Sequence, residues 1–392
     1  MAGSDKLRVV VTGGGTGGHV YPALTLARAL VEQEADVIYV GTDSGLEARL
    51  APREGLTFHS ISARPLKRSR PWTVAGTALA AGVGVLQAVR MLARFRPDLV
   101  IATGGYVCGP LALAAALRRI PLLVQEQNAL PGRTSRYLAR YARVVALGFA
   151  EAIPYFPAAC RPRLVVTGNP VRPAVIQAER KAGLSFFRLD ERRRTLLVAG
   201  GSQGAQRLNQ AVREALPWLL DRPDLQVIWL TGERSYPQIV AQLPGEWRQE
   251  KLDADGYEQQ LVRQRHVLIA PYTHAMALAL AAADLAVSRA GALSLAELLV
   301  QKVPAVLVPY PFAADNHQQA NAEVLARQGA AVIVPDAELS GERLVCELQR
   351  LLDDAGRLAA MRARAAALAK PQATEEILSL ARRIIGNQSA RE

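Results

Sequence analysis

Short apolar runs alternate with longer helix-like stretches along this chain of 392 residues, and the series starts twice. In the first half the runs 8–12, 36–41, 98–102, 121–125 and 143–147 read as strands. In the second half 195–199, 226–231, 266–269, 284–288, 304–309 and 331–334 do so. Helix-like segments lie between them at 20–33, 111–118, 132–141, 205–216, 291–300 and 316–328. Strand–helix alternation of this kind packs into parallel sheets covered by helices on both faces. Each half opens on a strand, a glycine-rich turn and a helix: Val9–Gly18 then Val20 onward, and Leu196–Gly204 then Ala205 onward. The expected fold class is therefore α/β, with two doubly wound parallel-sheet domains. Between the halves, the prolines of Gly168-Asn169-Pro170-Val171-Arg172-Pro173 break helices and withhold a sheet donor, as in a linker. The domains expected are 1–170 and 171–371, with a C-terminal tail, 372–392, whose helical part 372–385 could pack on either domain, the first being the candidate. Such paired domains bind ligands in the cleft between them, at the carboxyl ends of the strands.

The net charge of +12 favours an anionic partner. Aromatics are few, at 5%, and neither an RNA-binding aromatic signature nor zinc-finger spacing is present. Membrane and phosphate thus rank above nucleic acid, and no nucleic-acid partner is expected. Cys108, Cys160 and Cys346 are far apart, which indicates neither a disulfide framework nor a zinc site. The first residues lack the layout of a signal peptide, and a cytoplasmic setting is expected. Trp72 to Val89 carries no charge and reaches the length of a membrane span, but it is rich in Ala, Gly and Thr and contains Gln87. Arg64, Lys67, Arg68 and Arg70 precede it, and Arg90, Arg94 and Arg96 follow. An apolar helix fringed with cations suits an anionic membrane surface, so the stretch 64–96 is expected to lie on a bilayer rather than cross it.

Phosphate binding needs backbone N–H groups that point inward with no side chain in the way, followed by the positive end of a helix. Gly13–Gly18 and Gly200-Gly201-Ser202-Gln203-Gly204 both have that form. Gly13-x-Gly15-x-x-Gly18 also fits the dinucleotide fingerprint, with Asp43 where a ribose-binding acid would stand. On this motif alone a nicotinamide- or flavin-dependent oxidoreductase stays open. His19 directly follows the loop, where the dinucleotide motif has no use for it and an imidazole can take a proton near neutral pH.

Seven blocks occur in order along the chain: Gly14-Gly15-Thr16-Gly17-Gly18-His19-Val20-Tyr21-Pro22, Gly104-Gly105-Tyr106-Val107-Cys108-Gly109-Pro110, Glu126-Gln127-Asn128, Gly168-Asn169-Pro170-Val171-Arg172, Gly200-Gly201-Ser202-Gln203-Gly204-Ala205, Ser288–Glu297 and Asn316–Ala322. They resemble the bacterial peptidoglycan N-acetylglucosaminyltransferases that convert lipid I to lipid II. The resemblance implies the GT-B fold, two Rossmann-like domains with an interdomain active site, and inverting transfer from UDP-GlcNAc without a metal or cofactor. It places Thr16, Gly17 and Gly18 in the donor-contacting loop and Asn128 near the transferred sugar. Arg172 and Ser202 match UDP-side contacts. Leu293, Ser294 and Glu297 match the uridine-holding segment, with Glu297 on the ribose hydroxyls, and Gln318 and Gln319 match groups that read the sugar. His19 becomes the candidate base. The implied partners are UDP-GlcNAc, lipid I, the cytoplasmic face of the membrane and a cell-wall synthesis complex.

Sugar hydroxyls suit amides, which donate and accept, and a ribose diol suits a carboxylate. Two departures from the family pattern stand out: Cys108 replaces a small or hydroxyl residue, and Tyr272-Thr273-His274 replaces an acidic stretch near the expected uracil contacts. Asp253-Ala254-Asp255 is a literal Asp-x-Asp in a polar stretch and is not expected to hold a metal. His59, His266 and His274 read as ordinary residues, Tyr106 as acceptor-side or structural, Glu126 as a buried network residue, and Arg289 as the partner of a carboxylate. The rival readings are a UDP-sugar epimerase of the same fold and a non-catalytic cell-wall scaffold.

Overall fold

The computed structural model describes residues 6–65, 73–201, 205–254 and 256–389. The chain divides into two compact units, Met1–Val171 with Lys370–Glu392, and Arg172–Ala369.

The first unit is built on seven strands: β1 (Arg8–Thr12), β2 (Asp36–Gly41), β3 (Thr57–Ser60), β4 (Leu99–Ala102), β5 (Leu122–Glu126), β6 (Val144–Leu147) and β7 (Leu164–Val166). They form one sheet in the order β3-β2-β1-β4-β5-β6-β7, and every pair is parallel. Alternate side chains of a strand face opposite ways, so an all-apolar strand feeds two cores. Val10 joins Ile38, Val40 and Val100 on one face, while Val9 and Val11 join Tyr39, Leu99 and Ile101 on the other. Helices α3 (Thr73–Phe95) and α4 (Cys108–Leu117) close the first face through Ala88, Leu92 and Leu111. Helix α1 (Gly17–Glu32) closes the second through Val20, Leu24 and Leu26. The C-terminal helix Ala373–Ser389 packs beside it, burying Ile377, Leu378 and Ala381. A short helix α2 (Glu47–Arg53) follows β2.

The second unit carries β8 (Arg194–Ala199), β9 (Leu225–Leu230), β10 (Arg248–Ala254), β11 (Tyr257–Gln264), β12 (Val267–Ala270), β13 (Leu285–Ser288), β14 (Ala305–Leu307) and β15 (Ala331–Ile333). Their order is β10-β11-β12-β9-β8-β13-β14-β15. Six strands run parallel, and β10 and β11 add an antiparallel hairpin to the β12 edge. The sequence pattern gives no sign of this hairpin, because its buried apolar residues are few: Leu252, Leu261 and Val262. The buried Trp229 of β9 donates to Asn209 Oδ1 at 3.1 Å, and Asn209 Nδ2 donates to the Thr231 carbonyl at 2.7 Å. This ties the helix Gln206–Leu220 to the strand beside it.

Both sheets reverse direction of winding beside their first strand. In the first unit the reversal lies between β1 and β4, and in the second between β8 and β13. At such a point the loops leaving the carboxyl ends of adjacent strands part in opposite directions and open a crevice.

Candidate active site

In the first unit the crevice is filled by the glycine loop and the segment that follows β4. Gly14 N donates to the Gly104 carbonyl at 3.3 Å, and Thr103 N donates to the Thr12 carbonyl at 2.9 Å. Only glycine fits at two points. A Cβ on Gly13 would lie 2.1 Å from Thr103 Oγ1, and Gly105, at φ +88°, would put one 2.0 Å from the Gly14 carbonyl oxygen. His19 sits in the first turn of α1, half-buried, and Thr103 Oγ1 donates to its carbonyl at 2.7 Å. Its Nδ1 faces the Thr103 carbonyl at 3.1 Å and Gln127 Oε1 at 3.0 Å. The Gln127 amide is oriented by its own NH2, which donates to the carbonyls of Thr103 at 2.7 Å and Gln125 at 3.0 Å. Both groups facing Nδ1 are therefore acceptors, so Nδ1 carries a proton, and in the neutral ring the lone pair lies on Nε2. Thr16 and Gly18 are exposed and Gly17 is half-buried at the N-terminus of α1, where backbone N–H groups have no helical partner.

Asn128 follows β5 and is half-buried. Its backbone N and its Nδ2 donate to Glu126 Oε1 at 2.9 and 3.1 Å, while Gly132 N donates to Glu126 Oε2 at 3.1 Å. Glu126 is buried and organises this loop. Cys108 is buried as well and donates to the Gly104 carbonyl at 2.9 Å. Burial pushes its thiol up to about 12.

The second unit holds a pocket of about 900 Å³ at its own reversal point. Gly200 and Gly201, after β8, line it together with Ser288, at the end of β13, and Arg289 and Gly291, which follow it. Ser294, Glu297 and Gln318 add polar groups, and Tyr310 and Phe312 add aromatic surface. The helix Ala292–Val300 begins at Gly291 and points its unpaired N–H groups to this region. Glu297 Oε1 accepts from Arg172 Nε at 2.9 Å, with Nη2 at 2.8 Å, which leaves Oε2 without a hydrogen bond among the described residues. Gln318 Oε1 accepts from Ala290 N at 3.2 Å and Tyr310 N at 2.9 Å, so the amide presents its NH2 as the remaining group. Gln319 instead donates to Glu323 along the helix His317–Arg327. Leu293 is half-buried, and neither it, Arg172 nor Gln319 lines the pocket. Arg289 donates to Asp336 at 2.6 Å and stacks over Tyr310.

Residues 9–147 match the glycosyltransferase family 28 N-terminal domain, and residues 195–377 match the family 28 C-terminal domain. A Moorella thermoacetica protein named UDP-N-acetylglucosamine–N-acetylmuramyl-(pentapeptide) pyrophosphoryl-undecaprenol N-acetylglucosamine transferase is 45% identical over 95% of this chain and 98% of its own. The Desulforudis audaxviator protein of the same name is 42% identical over 97% of this chain and 99% of its own. The crystal structure of Acinetobacter baumannii MurG is similar at TM-score 0.74 and 29% identity, covering 96% of this chain and 99% of that one. The chain is a family 28 glycosyltransferase of the MurG group.

Its two parallel-sheet units are the Rossmann-like domains of a GT-B enzyme. Several features of this family 28 member escape a reading by motif. Thr103 and Gln127 orient the candidate base from positions far from it in sequence, and although Gln127 stands in the block Glu126-Gln127-Asn128, the block gives no sign of that role. Arg234, Ser235 and Gln238 line the pocket of the second unit with no motif around them. Thr273 is buried and accepts from Ala275 N, which makes it a turn-former in the stretch that departs from the family pattern. Asp253 caps the β10–β11 turn by accepting from Gly256 N at 2.8 Å. No group of His, Cys, Asp and Glu suited to a metal occurs among the described residues. Ser202, Asp255, Lys67, Arg68, Arg70 and Trp72 lie outside the described residues.

Proposed function

We propose that this enzyme transfers N-acetylglucosamine from UDP-GlcNAc to the muramoyl 4-hydroxyl of undecaprenyl-diphospho-MurNAc-pentapeptide, lipid I, giving lipid II for peptidoglycan synthesis. The observation that carries the reading is identity along nearly the whole chain with transferases named for that donor and acceptor. The reaction is a single displacement with inversion. The 4-hydroxyl oxygen bonds to the anomeric carbon as the carbon–oxygen bond to the diphosphate breaks, and UDP leaves with the bonding pair. The hydroxyl proton passes to His19 Nε2, which holds the lone pair when the ring is neutral with its proton on Nδ1.

The donor belongs to the second unit in this reading. Glu297 takes the ribose hydroxyls through Oε2, with Arg172 fixing the carboxylate and adding positive charge on the UDP side. Leu293 and Ser294 border the uridine. Gln318 donates to a sugar hydroxyl through its NH2, and Gln319 completes the amide pair. Gly200, Gly201 and the helix that starts after Gly291 offer N–H groups to the diphosphate as it gains charge. Thr16, Gly17, Gly18 and Asn128 of the first unit contact the transferred group.

The first unit takes the acceptor and meets the membrane from its cytoplasmic side. Helix α3 carries one stretch, Gly76–Phe95, long and apolar enough to cross a bilayer, but its Ala88 and Leu92 are buried in the unit. Gln87 Oε1 also accepts from Ser62 N at 2.7 Å. The outer stripe is Leu79, 72% exposed, Val83, 43%, and Leu86, 51%, continued by the exposed Arg90 and Arg94. Spacing of three and four residues puts these on one helix face, which suits docking onto an anionic surface. Incubation with UDP-GlcNAc and a lipid I analogue tests the transfer. A lipid-linked disaccharide supports it, whereas epimerised UDP-sugar or free N-acetylglucosamine as the sole product sinks it.

A further inference from the structure

Three side chains beside the glycine loop of the first unit form a hydrogen-bonded chain that starts at a fully buried carboxylate. Glu47 opens α2 and exposes no surface. Its Oε1 accepts from Thr42 N at 3.1 Å and from Thr42 Oγ1 at 3.0 Å. Its Oε2 is equally buried and has no partner among the described residues. Thr42 Oγ1 lies 3.3 Å from the Tyr106 hydroxyl. A carboxylate accepts and does not donate, so the one Thr42 hydroxyl proton points at Glu47. The contact with Tyr106 then requires the phenol to donate to Thr42. With its only proton used, the Tyr106 oxygen has lone pairs alone to offer.

Tyr106 stands where such a restriction matters. Its ring is half-buried against the glycine loop, so that a Cβ on Gly15 would lie 2.9 Å from Tyr106 Cε1. Two residues earlier, a Cβ on Gly104 would lie 2.8 Å from His19 Nδ1. The segment bearing Tyr106 therefore touches the imidazole that the transfer reaction uses. A phenol free to turn can donate or accept, but one with its proton fixed accepts only. It then matches a sugar hydroxyl or amide N–H and repels the oxygens of a phosphate, which have no proton to give.

We propose that Glu47 and Thr42 are positioning residues that hold Tyr106 as a hydrogen-bond acceptor for a hydroxyl or amide N–H of the acceptor sugar. The proposal rests on the transfer reading above. It is tested by steady-state kinetics of Thr42→Val, Thr42→Ser, Tyr106→Phe and the double variant Thr42→Val/Tyr106→Phe with UDP-GlcNAc and a lipid I analogue. Thr42→Val raises the KM for the acceptor about fivefold, the worth of one neutral hydrogen bond, and leaves the KM for UDP-GlcNAc unchanged. Thr42→Ser, which keeps the hydroxyl, restores the parent value. In the Tyr106→Phe background Thr42→Val adds nothing further, because the link it breaks is already gone. Additive effects of the two substitutions overturn the proposal, since a role in packing alone would add. Should Thr42→Val fold poorly, Tyr106→Phe decides by itself: an unchanged acceptor KM in that variant overturns the proposal. Parent enzyme that forms no lipid-linked disaccharide at all overturns the transfer reading, and the proposal with it.

Discussion

The two ring nitrogens of His19 have different surroundings, and the difference is set by a neighbour rather than by the ring itself. Gln127 spends its NH2 on two carbonyls, which leaves its oxygen for Nδ1. His19 could be picked out in the sequence because it follows a glycine loop directly. Gln127 stands in the block Glu126-Gln127-Asn128, but its role could not be read there, because it lies 108 residues away in the chain and the role exists only after β1, β4 and β5 have paired. Replacing His19 by Ala should lower kcat by about 10²–10⁴-fold, the usual share of a general base, with little change in the KM for UDP-GlcNAc. Steady-state kinetics check this, and near-normal kcat would remove His19 from the chemistry. Cys108 supplies a second residue-scale test. Its buried thiol is pushed up to about 12, while Cys346 is exposed. Thiolates are the reactive species, so iodoacetamide at neutral pH should modify Cys346 well before Cys108 in the native protein. Mass spectrometry of the labelled peptides reads the order, and equal rates would contradict the burial of Cys108.

Elements buried on both faces are the ones their sequences announce. Val9–Val11 and Leu196–Val198 are apolar without a break and become inner strands with parallel neighbours on both sides, and the equally apolar Val267–Ile269 lies between parallel β9 and antiparallel β11. The edge elements are less legible. Strand β3 is largely exposed, and the hairpin of β10 and β11, which extends the sheet beyond β12, is polar apart from a few side chains, because backbone pairing there demands little burial. The C-terminal helix Ala373–Ser389 shows its amphipathic pattern in the sequence, but not its destination, which depends on an apolar groove beside α1. Ile377 is fully buried there, so Ile377→Ala should destabilise the first unit by about 2–5 kcal/mol. Denaturant titration followed by a probe in that unit measures it, and a loss below about 0.5 kcal/mol would mean the helix is only loosely seated. Helix α3 carries the membrane prediction. Leu79→Glu with Leu86→Glu should cut binding to anionic vesicles by at least about tenfold, since each leucine transferred from water is worth about 1.5–3 kcal/mol. Co-sedimentation with vesicles of defined anionic content decides it. Unchanged binding would move the docking surface elsewhere.

At the scale of the whole molecule, the restart of the strand–helix series announces two units, and the order of strands explains why each has its glycine loop at a point of reversal. A single loop of this type fits a dinucleotide as well as a diphosphate. The pocket of the second unit separates the readings, because it joins a loop of small residues to a carboxylate and an amide whose remaining groups suit a ribose and a sugar. That pairing could be guessed from the blocks at 288–297 and 316–322 only through resemblance, since Ala290 N and Tyr310 N meet Gln318 across a fold that the residues do not display one by one. The charge of +12 suits an acceptor and a surface that are both anionic. The central claim is inverting transfer of one sugar between two named substrates, and the linkage of the product tests it most directly. Nuclear magnetic resonance of the disaccharide made from UDP-GlcNAc and a lipid I analogue should reveal a β-configured bond to the muramoyl 4-oxygen, with one UDP released per disaccharide. An α-configured bond, attachment at another oxygen, or UDP released without disaccharide would contradict the account.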